Sequence, residues 1–109
     1  MAELGFKDAR SKAIASLRQG SYQHEAREKI EVKNLLSIGQ VSPDEVIEML
    51  RLCNGKHHSS SPHHAAAEIE VHVIKPEKPA RWYIKFYFVD PDVPELMFIS
   101  VHPHEVGEV

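Results

Sequence analysis

The chain has 109 residues, with 13 Lys and Arg against 16 Asp and Glu, a net charge of −3 and 42% hydrophobic residues. That apolar content excludes a disordered tail, the length is too short for two full-sized domains, and no apolar run approaches the roughly 20 residues that cross a bilayer. One cysteine, Cys53, excludes an intrachain disulfide and a Cys-rich zinc site, and the acidic balance gives no whole-molecule attraction for nucleic acid.

Met1 to Arg10 carries charge early and has no apolar core of a signal peptide, so the expected compartment is the cytoplasm. No repeat or linker divides the chain, and a single domain over 1–109 is expected. Eight histidines are unusual for this length.

Ala9, Ala13, Ile14 and Leu17 fall at helical spacing and predict a first helix over 6–19, stopped by Gly20. Ser21 to Lys29 reads as irregular chain or a short helical turn. Val32, Leu35 and Leu36 predict a short helix over 32–38, closed by Gly39. The third helix has the fullest signals. Ser42 caps it, Pro43 suits its first turn, and Glu45 completes a capping box. Val46, Ile47, Met49, Leu50 and Cys53 form its buried stripe, and Asn54-Gly55 ends it. The helical part thus covers 6–54.

Lys56 to His64 is polar and contains Pro62, which predicts a loop. Strands are expected over 69–74, 81–89 and 96–102, within a sheet part covering 69–103, separated by Pro-rich turns. The order predicts an α+β domain, with N-terminal helices packed on one face of a C-terminal antiparallel sheet of three to four strands.

Alternation assigns the sheet faces. Trp82, Ile84, Phe86 and Phe88 are expected under the helices, as are Ile69, Val71 and Val73, and Met97, Ile99 and Val101. The other face then presents Arg81, Tyr83, Lys85 and Tyr87, with Glu70, His72, Phe98, Ser100 and His102. An antiparallel sheet commonly keeps one polar, solvated face. Here that face also has the parts of a phosphate-handling surface: histidines that exchange protons near neutral pH, cations that stabilise phosphoryl charge, and phenols that stack bases. Ser61, His63 and His64 lie in the polar segment and are candidates to touch a ligand at the sheet edge. His24 and Arg27, three apart, would share a face of a helical turn as an acid–base group and an anion clamp.

Three further residue patterns carry a resemblance. They are His24-Glu25-Ala26-Arg27, then Gly39-Gln40-Val41-Ser42-Pro43-Asp44-Glu45-Val46 opening a helix, then a sheet. Over residues 22–102 this resembles the RelE/BrnT-type superfamily of small ribonuclease toxins. The chain departs from it in its acidic balance and in the segment 59–64. The resemblance implies metal-independent RNA cleavage, no cofactor, and a cognate antitoxin as partner. It matches His24 and Arg27 to the early motif, and Arg81, Lys85, Tyr87 and His102 by residue type and face.

The expectation is therefore a small ribonuclease. His24, His72 and His102 are the candidate proton carriers, and Arg81 and Lys85 stabilise the phosphate. Arg27, Tyr83, Tyr87, Ser61, His63 and His64 hold the RNA. Two other readings use the same residues. One is a non-catalytic interaction domain whose exposed aromatic face binds a protein. The other is a metal site built from His102, His104, His72 and His63 or His64.

Overall fold

A computed structural model describes residues 5–25, 33–63, 66–77, 80–90 and 93–103. Its elements are α1 (Phe6–Gln19), β1 (Tyr22–His24), α2 (Pro43–Arg51), a 3-10 turn (Gly55–His57), β2 (His58–Pro62), β3 (Glu70–Ile74), β4 (Trp82–Asp90) and β5 (Val93–Pro103). The class is α+β: among the described residues, the two helices α1 and α2 accompany a five-stranded mixed sheet in the order β1-β5-β4-β3-β2.

Both helices follow the sequence signals. Gly20 takes the left-handed conformation that stops α1, at φ 73°. At α2 the Glu45 amide donates to Ser42 Oγ at 3.1 Å and the Ser42 amide donates to Glu45 Oε1 at 2.9 Å, a complete capping box. Val46, Ile47, Met49 and Leu50 are buried, and together with Ala13 and Leu17 of α1 they cover Ile74, Ile84, Phe86, Phe88, Leu96, Phe98 and Val101 of the sheet.

The expected meander β3–β4–β5 is present and antiparallel, and it is flanked by two strands that the sequence did not announce. Ser21 to Lys29 was expected to be irregular or helical. Residues 22–24 instead form β1, parallel to β5 with His24 opposite Phe98; Ser21 and Glu25 are irregular, and residues 26–29 lie outside the described residues. Lys56 to His64 was expected to be a loop. Residues 58–62 instead form the edge strand β2, antiparallel to β3. An edge strand pairs on one side only, so its serines and proline are tolerated. The helix expected over 32–38 is corrected from residue 34 onward; Lys33 is helical and Val32 lies outside the described residues. Asn34 forms an isolated bridge to Val101, and residues 35–39 are turns, with Gly39 at φ 77°.

The alternation of β4 holds: Trp82, Ile84, Phe86 and Phe88 lie towards the helices. That of β3 is reversed. Its pairs with β4 are Val71–Tyr87, His72–Phe86, Val73–Lys85 and Ile74–Ile84, so His72 and Ile74 face the helices while Val71 and Val73 face away. β5 changes parity at a bulge. Lys85 pairs with Ser100 but Phe86 pairs with Phe98, leaving Ile99 as the extra residue. Leu96, Phe98 and Val101 therefore point under the helices, and Met97, Ile99, Ser100 and His102 lie on the far face.

That far face has an apolar cluster of its own, in which Val71, Tyr87 and Ile99 are buried beside Ile69 and Met97. Alternation misassigned β3 because apolar residues occupy both of its sides.

Candidate functional site

One row crosses the far face of the sheet near the β3–β4 connection. Tyr83 pairs with His102 across β4 and β5, with ring centroids 5.2 Å apart and planes 17° from parallel. On the β3 side, Lys75 Nζ stands 5.8 Å from the Tyr83 ring centre. Tyr83 is thus flanked by a cation and an imidazole on opposite sides. Tyr83, expected as a base-stacking platform, has His102 and Lys75 as its ring neighbours.

His102 Nδ1 lies 2.9 Å from the carbonyl oxygen of Pro103. A carbonyl only accepts, so Nδ1 carries the hydrogen and the lone pair of the neutral ring sits on Nε2. Lys85 occupies the next row, opposite Ser100. Diagonal neighbours across an antiparallel pair are about 7–8 Å apart, so Lys85 and His102 can reach one phosphate. The Ile99 bulge sits beside Lys85, where the strand bends and re-aims side chains. Arg81 precedes β4 at the same end and is exposed.

A second polar group closes the other end of this face. Tyr87 Oη donates to Glu25 Oε2 at 2.8 Å, and His63 Nε2 donates to the same oxygen at 3.3 Å. Glu25 follows β1, and its amide donates to the Phe98 carbonyl at 2.9 Å; His63 follows β2, and its amide donates to the Ile69 carbonyl at 2.9 Å. These strands are the two edges of the sheet, separated by four strand spacings or about 19 Å if the sheet were flat. A 3.3 Å contact between them requires the two edges to curl over the far face at this end. Burial first, then the bond to Glu25 and its charge, push the Tyr87 hydroxyl up to about 12. Tyr87 is only 8% exposed, which corrects its expected role as a base stacker. His63 is correspondingly a clasp residue. Ser61 is exposed on β2 opposite Val71.

The other two candidate histidines lie on the opposite side of the sheet. His72 is 1% exposed and stacks 5.6 Å from Phe86. Its Nε2 is 3.3 Å from Glu70 Oε1, and its Nδ1 is 3.0 Å from His58 Nε2. The carboxylate fixes the hydrogen of His72 on Nε2, so Nδ1 accepts from His58. Burial, followed by the neighbouring His58, lowers the His72 pKa to about 4. His58 is also lowered, by burial. His72 therefore stays neutral inside the core and meets no substrate on the far face.

His24 stacks on Phe98, 5.9 Å away, on the helix side. The Ser37 amide donates to Asn34 Oδ1 at 3.1 Å, which turns the Asn34 amide nitrogen to His24 Nδ1 at 2.9 Å. His24 accepts there, and burial lowers its pKa. The expected helical pairing with Arg27 is corrected for His24, which sits in a strand; Arg27 lies outside the described residues, as do His64 and His104. The three candidate proton carriers thus do not converge: His102 alone stands on the same side as Lys85.

Among the described residues, no group of three or more His, Cys, Asp or Glu side chains is placed to hold a metal ion, and no helix is long and apolar enough to cross a membrane. Lys75 and Glu25 belong to these arrangements but were not among the residues expected there. Lys75 shares a short run of sequence with Lys78, Arg81 and Lys85, four cations against Glu77; Glu25 had no signal beyond its place beside His24. No protein-family model, curated protein or solved structure matches the chain.

Proposed function

We propose that the chain is a small metal-independent ribonuclease acting on single-stranded RNA at the far face of its sheet. The observation that carries this reading is the row Lys75–Tyr83–His102, with Lys85 one row away on the same side. In this scheme His102 Nε2 takes the proton of the ribose 2′-OH. The 2′-oxygen then attacks the adjacent phosphorus, and the bond to the 5′-oxygen breaks, leaving a 2′,3′-cyclic phosphate. The leaving 5′-oxygen takes a proton from water, and the protonated His102 returns its proton to solvent. Lys85 and Arg81 stabilise the charge that builds on the phosphate, and Tyr83 keeps the imidazole oriented. General base catalysis supplies about 10²–10⁴-fold.

If it acts as a toxin, as the resemblance implies, an antitoxin protein would hold it in check. The reading is tested by incubating the protein with a labelled single-stranded RNA in excess chelator. Products ending in a 2′,3′-cyclic phosphate, and resistance of a strand carrying 2′-deoxyribose throughout, are expected. RNA that is bound but stays intact would instead favour a non-catalytic interaction domain.

A further inference from the structure

At the β3–β4 connection is a cleft of about 270 Å³ lined by Lys56, His57, Lys75, Pro76, Glu77, Arg81 and Trp82. Among the described residues, three fixed cations stand here against one carboxylate, in a chain that is acidic as a whole. Backbone bonds gather them from two parts of the sequence. The Lys75 amide donates to the His57 carbonyl at 2.9 Å, and the Trp82 amide donates to the Pro76 carbonyl at 3.0 Å.

The one acid is already engaged. His57 Nδ1 accepts from the Asn54 amide at 2.9 Å, so its hydrogen is on Nε2, which donates to Glu77 Oε1 at 3.0 Å. Lys56 Nζ is 3.9 Å from the same oxygen. The bond from His57, then the Lys56 charge, hold the Glu77 carboxyl below the usual range, with Arg81 adding to this. Lys75, Arg81 and the Trp82 indole line the same cleft. Cations beside an aromatic wall suit a ligand that joins a phosphate to a planar ring. The volume lies just under the ~300–1,000 Å³ of drug-sized sites, which suits a single nucleotide.

We propose that this cleft is a nucleotide site, with the phosphate between Lys56, Lys75 and Arg81 and the base against Trp82. It adjoins the proposed RNA surface through Lys75, which also stands over Tyr83. It goes beyond that reading, because nucleotide binding here does not require cleavage.

Trp82 is the only tryptophan, so its fluorescence reports the cleft directly. The full chain is titrated with AMP, adenosine and inorganic phosphate. AMP is expected to change the emission saturably, and adenosine to bind at least tenfold more weakly. Lys56→Glu, whose side chain is 71% exposed, should weaken AMP at least tenfold with an unchanged circular dichroism spectrum. No saturable response to AMP, an equal response to adenosine, or an unaltered AMP affinity in Lys56→Glu would overturn the proposal. Competition by a short single-stranded oligoribonucleotide assigns the unit to an RNA strand, and its absence assigns it to free mononucleotides. AMP binding without RNA cleavage would fail the nuclease reading alone, and cleavage without AMP binding would fail this one alone.

Discussion

Tyr83 and His102 lie face to face across β4 and β5, 5.2 Å apart and 17° from parallel. The contact fixes the plane of the imidazole while the Pro103 carbonyl fixes its tautomer. Aromatic pairs contribute about 0.5–1.5 kcal/mol beyond their area. Tyr83→Ala is therefore expected to lower kcat for RNA cleavage by roughly 2- to 10-fold, with KM little changed, and Tyr83→Phe to retain the wild-type rate. A loss in Tyr83→Phe equal to that in Tyr83→Ala would show that the hydroxyl, and not the stack, matters.

The burial of His72 makes stability depend on pH in a defined direction. The unfolded chain binds a proton at this ring below its ordinary pKa of 6.5, and the folded chain only near 4. Between those values the unfolded state holds more protons, so stability rises with pH and is lost as pH falls through the window. The size is about 3 kcal/mol. Urea denaturation at several pH values should show a shallower loss from pH 6.5 to 4 in His72→Leu than in the wild type. Parallel curves would contradict the assignment of that loss to His72.

The bonds of Glu25 to Tyr87 and His63 join the two edges of the sheet. A hydrogen bond to a charged group contributes about 1.5–3 kcal/mol, so Tyr87→Phe should destabilise by that order. Glu25→Gln should cost a similar amount, and the double variant less than the sum of the two. Strict additivity in chemical denaturation would mean that Glu25 and Tyr87 do not act together.

The α2 capping box gives a simpler expectation. Ser42→Ala removes the acceptor of the Glu45 amide and should cost about 1 kcal/mol, read as a lower urea midpoint with the same slope.

Much of this arrangement was legible in the residues. The boundaries of α1 and α2 follow from Gly20, Ser42, Pro43 and Glu45, because helix ends must satisfy orphan backbone groups locally. The faces of β4 follow from strict alternation of large apolar and polar side chains, and they placed Tyr83 and Lys85 correctly. Other features depended on contacts distant in sequence. β1 is three residues long and forms against β5, more than seventy positions away. β2 is written in serines and is held by pairing with β3. The Ile99 bulge has no sequence mark, so parity read back from His102 put Phe98 on the wrong side. His72 looked like a surface histidine because its neighbours Val71 and Val73 are apolar, yet both face away from the helices and Val71 packs into the second cluster.

The most direct measurement is RNA cleavage by His102→Ala beside the wild type, in chelator and with both stabilities measured. The account predicts that the wild type cuts single-stranded RNA and that His102→Ala is slower by about 10²–10⁴-fold, while its stability stays within about 1 kcal/mol. An unchanged rate in His102→Ala would contradict it.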